Sequence, residues 1–195
     1  MLTTYRNKFF VSLVVLQLVI EVACAASLKN EQLELNLNKG ARVNISLSDK
    51  KISAKFHSKK IDRLIETDKI LAAHLLRTDE ISYLFKVPSN ARELFVVLSR
   101  EPSRQNRSSG FCGAGYEDFL LLIEVKKKQV VLADKFLLQS CLESILLDVN
   151  EGEDPLRAIA LDKVKSTITF SLLDELDSKK RIISIIDGHF TLTAQ

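Results

Sequence analysis

The stretch "DFLLLIEVKKKQVVLADKFLLQ", residues 118–139, decides the fold. Two apolar runs, Asp118 to Val125 and Gln129 to Gln139, flank a break of three lysines, Lys126, Lys127 and Lys128. Runs of this kind around a short polar break read as two antiparallel strands and a turn. A two-residue turn at Lys126-Lys127 sets Val125 opposite Lys128. One face then carries Phe119, Leu121, Ile123 and Val125 with Val130, Leu132, Phe136 and Leu138, and Asp134 is its odd member. The other face mixes Asp118, Leu120, Leu122 and Glu124 with Gln129, Val131, Ala133 and Lys135, and Asp118 faces Lys135 as an opposite-charge pair. A one-residue slip would mismatch the apolar faces. Lys-Lys fits a two-residue turn poorly, so a three- to five-residue loop or a bulge is the alternative.

The same register brings Cys112 opposite Cys141. What that means depends on the chain's address. Arg6 and Lys8 precede Phe9 to Ile20, "FFVSLVVLQLVI", an apolar run shorter than the roughly 20 residues that span a bilayer. Ala23-Cys24-Ala25 then supplies the small-x-small pattern of a signal-peptide cleavage site. Residues 1–25 therefore read as a signal peptide, cleaved near Ala25, and 26–195 as a single β-rich exported domain, secreted or periplasmic. Val22-Ala23-Cys24 resembles the end of a bacterial lipobox, which would acylate Cys24. Glu21 stands where that motif wants an apolar residue, so lipid anchoring is the minority reading. No later stretch is long and apolar enough for a transmembrane segment in the mature chain. In an exported chain Cys112 and Cys141 read as one disulfide.

The rest of the chain is mostly strand-like. Leu33 to Leu37 and Val43 to Leu47 alternate apolar and polar residues around Asn38-Lys39-Gly40-Ala41, as a hairpin does. Ile52, Ala54 and Phe56 continue the period of two. From Lys59 to Arg77 the period shifts, and Ile61, Leu64, Ile65, Ala72, Leu75 and Leu76 fall on one helical stripe. One or two helices are expected there, with Thr67 capping the second. Tyr83 to Val87, Glu93 to Ser99, Ser144 to Val149, Ala158 to Leu161, Ser166 to Leu172, Arg181 to Ile186 and Phe190 to Thr193 are further short strands. The fold class is mainly β (α+β): an antiparallel β-meander or sandwich-like sheet with one or two helices near residues 59–77.

No set of residues assembles a recognisable catalytic or metal site. Gly110, Gly113 and Gly115 around Cys112 match neither phosphate-loop spacing, and the next element is a strand. G-x-S-x-G is absent. His57, His74 and His189 lie in no zinc or metalloprotease spacing, and His74 reads as a helix-surface or boundary residue. Asp187-Gly188-His189 reads as a turn. Glu117 and Asp118, being adjacent, point to opposite faces of a strand. Asn44-Ile45-Ser46 and Asn106-Arg107-Ser108 match the glycosylation sequon. A formal net charge of +3 argues against a nucleic-acid binder. No cofactor is implied.

The expected function is a non-enzymatic binding or accessory module, inhibitor-like or envelope-associated, whose partner is a protein or an anionic envelope component. The contact surface expected is the polar loop from Arg104 to Tyr116, with Arg104, Arg107, Phe111 and Tyr116 as contact residues. Lys50, Lys51, Lys55, Lys59, Lys60 and Arg63 form a separate basic cluster that can attract anionic surfaces. An exported hydrolase with a site assembled from distant residues and a lipid-anchored structural envelope protein are the alternatives.

Overall fold

The computed structural model describes residues 31–48, 51–103, 115–148, 154–173 and 180–194. The expected signal peptide with Cys24 lies outside the described residues, as do Lys50, Arg104, Asn106, Arg107, Phe111 and Cys112.

The N-terminal alternation becomes three antiparallel strands, β1 (Glu31–Asn36), β2 (Arg42–Ser48) and β3 (Lys51–His57). Leu33, Leu35, Val43, Ile45 and Ala54 all turn to one face and are buried. Lys39 (φ 63) and Gly40 (φ 71) make the β1–β2 turn in the left-handed region. Residues 62–67 depart from the expectation of a helix: they form strand β4 (Asp62–Thr67), paired with β3. Ile65 and Thr67 are β-branched, and the open edge of β3 offers them a ladder, which outweighs the helical spacing. One helix follows, α1 (Lys69–Leu75). Its cap is Asp68 and not Thr67: the Asp68 carboxylate accepts the Leu71 amide at 3.1 Å.

Four long strands complete the main sheet: β5 (Glu80–Lys86), β6 (Glu93–Pro102), β7 (Tyr116–Val125) and β8 (Gln129–Ser140). The order is β1-β2-β3-β4-β8-β7-β6-β5. Every neighbouring pair is antiparallel except β4 and β8, which join in parallel at Glu66↔Gln129 and Thr67↔Val130. The edge strands β1 and β5 come into contact, so the sheet is nearly closed. Lys86 Nζ ties that seam, reaching Asn38 Oδ1 at 2.7 Å and Glu93 Oε2 at 2.6 Å.

The interior of the curled sheet holds one core: the β1–β3 residues above with Ile65, Phe95, Val97, Leu121, Ile123, Val125 and Val130, and Leu71 and Leu75 from α1. The outer face of β5 to β8 holds a second core, including Val96, Leu98, Leu120, Leu122 and Leu138. It is covered by a four-stranded antiparallel sheet, β9 (Ala160–Asp162), β10 (Thr167–Ser171), β11 (Lys180–Ile186) and β12 (His189–Ala194), through Ile168, Phe170 and Ile183. Arg92 fastens the two sheets. It grips Glu124 with Nε and Nη2 (3.0 and 2.8 Å) and donates from Nη1 to the Asp187 carbonyl (3.1 Å). Gly188 (φ 82) completes the β11–β12 turn, and any Cβ there would collide with the Arg92 guanidinium.

The β7–β8 hairpin forms, with a shifted register. The turn centres on Lys127-Lys128, closed by Lys126 N donating to Gln129 O at 2.8 Å, so Val125 faces Val130. Two bulges in β8 then shift the pairing further, between Leu122/Ile123 and between Asp118/Phe119. Each bulge turns the following β8 residues over. Phe136 therefore joins Leu120 and Leu122 at the outer core instead of sharing a face with Val130. The face read as mixed is a second core. Asp118 does not meet Lys135: it stands opposite Gln139, and Lys135 opposite Leu121. Cys141 comes level with Tyr116, whose carbonyl accepts its amide at 3.3 Å, and Cys112 lies outside the described residues. The strand expected at Ser144 to Val149 is reduced, over its described residues, to isolated bridges, Ser140↔Ile145 and Leu147↔Leu172.

Leu121 and Leu122 point to opposite faces of β7 and both are fully buried. Leu121→Ala and Leu122→Ala should each cost about 2–5 kcal/mol by urea denaturation. A cost below about 1 kcal/mol for either would mean that its face is not a core.

Candidate functional site

Side chains of β6 alternate between the two cores as far as Val97 and Leu98, and then turn polar. Ser99 and Glu101 continue the inward series begun by Phe95 and Val97. At this end of the sheet they meet His74, in the last turn of α1. His74 Nε2 lies 2.9 Å from Ser99 Oγ, and Nδ1 lies 2.7 Å from Glu101 Oε1. A carboxylate only accepts, so Nδ1 turns its proton to Glu101, and Nε2 shares a hydrogen bond with the Ser99 hydroxyl. The Glu101 contact is close but poorly aligned, and Oε1 makes no well-formed hydrogen bond. Arg77 Nε holds the other carboxylate oxygen at 3.0 Å. The His74 ring meets Phe119 edge-on at 5.1 Å, and Lys135 Nζ covers Phe119 at 4.4 Å.

Serine, imidazole and carboxylate here have the connectivity of a hydrolytic triad. Access decides what it can do. Ser99 is 0% exposed and His74 2%. A nucleophile must reach a carbonyl carbon, and Ser99 Oγ meets only protein. The set is a closed polar cluster, joined by one hydrogen bond and two close ion contacts, where the core ends. The sequence, which reads His74 as a helix-surface or boundary residue, does not reveal this set, and His74 is buried. The i to i+2 step from Ser99 to Glu101 was the available signal, but no spacing links it to a helix 25 residues earlier.

On the outer face of the same rung, Arg100 grips the fully buried Asp118 with two hydrogen bonds, 2.8 and 3.1 Å. The Asp118 hydrogen bonds hold the Arg100 guanidinium above its usual range, against the cost of burial. Arg100 also stacks on the Tyr116 ring at 5.1 Å. Glu117, on the opposite face as expected, accepts from Ser103 Oγ at 2.6 Å and from the Leu142 amide at 3.3 Å. Ser103 N donates to Gly115 O at 3.0 Å. Cys141 packs so closely on Gly115 that a Cβ there would overlap its side chain. Of the expected contact residues, the structure thus places Tyr116, at this base. His189 and Asp187 form no pair with each other: His189 Nδ1 lies 3.5 Å from Asp134 Oδ2, and the Asp187 carbonyl serves Arg92. Among the described residues no group of three or more His, Cys, Asp or Glu side chains is placed to hold a metal.

The opposite end of the sheet is basic. The β3–β4 turn carries Lys59 and Lys60, and the β7–β8 turn carries Lys126, Lys127 and Lys128. The short parallel joint of β4 and β8 seats the β7–β8 turn against β4, and Arg63 Nη2 donates to the Lys127 carbonyl.

No family model matches the chain, and no curated protein or solved structure matches it significantly.

Burial alone would raise the Glu101 carboxyl, but His74, Arg77 and Lys135 together hold it below its ordinary value of 4.5. The folded state then binds fewer protons than the unfolded chain. The contribution is present above the ordinary carboxylate range and is lost as pH falls through the depressed folded value. Glu101→Gln should lower stability at neutral pH and flatten its decline below pH 4.5, measured as urea midpoints against pH. An unchanged acid slope would contradict this assignment.

Proposed function

We propose that the chain is an exported, non-enzymatic binding module, secreted or periplasmic after cleavage near Ala25. It presents the Arg104 to Tyr116 loop to a protein or an anionic envelope component. One observation carries the non-enzymatic part: the serine–histidine–carboxylate set at Ser99, His74 and Glu101 is closed to solvent. The base of the loop supports the binding part. Pro102↔Tyr116 is the last ladder pair of β6 and β7, and Ser103, Glu117 and Arg100 are all fixed by hydrogen bonds around it. A loop rooted on a rigid base loses less freedom on binding.

The proposed Cys112–Cys141 disulfide is supported by the same base. Cys141 lies against Gly115, and only Gly113 and Ala114 separate Gly115 from Cys112, three chain steps with a reach of at most about 10 Å. Closing a loop of about 30 residues is worth about 3.5 kcal/mol in the chain-entropy account. Reductant, or Cys141→Ser, should therefore lower the melting temperature clearly. Melting curves that coincide with and without reductant would remove the disulfide.

The functional reading is tested with the purified protein as bait in extract of its native host. Capture of a partner should survive Ser99→Ala and weaken at least tenfold in Arg104→Ala/Arg107→Ala/Tyr116→Ala, with the melting temperature little changed. Hydrolytic activity that disappears in Ser99→Ala would overturn the reading in favour of the hydrolase. Acylated Cys24 at the mature N-terminus, seen by mass spectrometry, would favour the lipid-anchored structural protein.

A further inference from the structure

We propose that the tip built from the β3–β4 and β7–β8 turns is a docking surface for an anionic lipid bilayer. It lies at the other end of β7 from the Arg104 to Tyr116 loop and stands independently of that loop.

The tip gathers cations that are far apart in sequence. Lys59, Lys60, Arg63, Lys126, Lys127 and Lys128 are all exposed. The parallel joint Glu66↔Gln129 and Thr67↔Val130, with Glu66 N to Lys128 O at 2.9 Å and the Arg63 bond to Lys127 O, seats the β7–β8 turn against β4, and the β3–β4 turn with Lys59 and Lys60 continues from the other end of that strand. Lys55 stands directly opposite Leu64 and extends the charge along β3. The acids nearby are fewer. Asp62 pairs with His57 at 3.0 Å, Glu124 is gripped by Arg92, and Glu66 is exposed. Lys126 lies 3.6 Å from Glu124, which leaves five cations without a salt bridge described at the tip.

Large aliphatic side chains project from the same ground. Ile61 is 51% exposed, Leu64 70% and Ile70 69%. Ile61 sits in the β3–β4 turn, held by its own amide donating to Ser58 Oγ at 3.1 Å. Leu64 follows on the outer face of β4, and Ile70 opens α1.

The occupant follows from the chemistry of the charges and the shape of the apolar groups. Five of the six cations are lysines, compact point charges that suit a diffuse anionic surface. Recognition of one carboxylate or phosphate in fixed geometry favours the planar fork of arginine. Each lysine near an anionic bilayer adds attraction that falls off within a Debye length. The aliphatic groups stand outward, as residues that enter an acyl boundary do. A soluble acidic chain would use the charges and leave Ile61 and Leu64 in water.

The test is flotation of the full chain with phosphatidylcholine vesicles, with and without phosphatidylglycerol, and a parallel titration with soluble polyglutamate. Every variant carries the same residues 1–25, so differences between variants report on the tip. The wild type should bind the anionic vesicles more tightly than the neutral ones, and less so as salt rises. Lys59→Ala/Lys60→Ala/Lys127→Ala/Lys128→Ala should lose about a hundredfold on the anionic vesicles. Ile61→Ser/Leu64→Ser should lose roughly tenfold there and keep its affinity for polyglutamate. All the substituted residues are exposed, and an unchanged melting temperature confirms that each variant is folded. Equal binding to both vesicle types would overturn the proposal. Indifference to the Ile61/Leu64 change, or binding to polyglutamate without binding to vesicles, would overturn it in favour of a soluble acidic partner. Loss of vesicle binding with partner capture by the loop intact leaves the binding-module reading standing and removes this surface alone.

Discussion

Strand β7 has no face it can show to water. From Phe119 to Ile123 the sequence is "FLLLI", and Leu120, Leu121, Leu122 and Ile123 are all fully buried. Side chains in a strand alternate between faces, so burying consecutive residues requires cover on both sides. Each fully buried leucine or isoleucine stabilises the fold by about 1.5–3 kcal/mol relative to exposure. One cover is made by curling the sheet until β1 meets β5, which wraps the first core. The other is the β9–β12 sheet, which closes the second. The bulges in β8 belong to the same constraint. They turn Phe136 and Leu138 toward the outer core while Val130 stays on the inner one.

Polar chemistry is then confined to the ends of the strands. At one end the inward series of β6 changes from Phe95 and Val97 to Ser99 and Glu101, and His74 from α1 and Arg77 just after it meet it. Arg100 does the same for Asp118 on the outer face. These contacts stiffen the base from which the Arg104 to Tyr116 loop departs. At the other end the tight turns carry lysines, and the β4–β8 joint seats the β7–β8 turn against β4. On the proposed reading, the tip rests on an anionic bilayer and the loop end is presented away from it.

Much of this was legible in the sequence, because period-two alternation dictates burial locally. The β1–β2 hairpin, β3, most later strands and the Asp187-Gly188 turn follow from their own residues. Where the reading failed, the deciding partner was remote. Residues 62–67 have spacing that suits a helix, yet the edge of β3 captures them as a strand. The β8 bulges leave no mark in composition; Asp134 as an odd core residue was their trace, and it accepts the Phe190 amide at 2.7 Å from the covering sheet. His74 looked like a surface residue because its partners lie 25 and 27 positions away. The seating of Lys127 and Lys128 against β4 needed a parallel pairing that no local pattern announces.

The central claim is that β6 and β7 form the divide between two cores and are the last elements to open. Native-state hydrogen exchange, resolved by residue, tests it most directly. The account predicts that the amides of Leu94 to Leu98 and Leu120 to Ile123 exchange only by global unfolding, more slowly than those of β1 or β12. Exchange of the β6 and β7 amides through a lower-energy opening, while β10 and β11 stay protected, would contradict it.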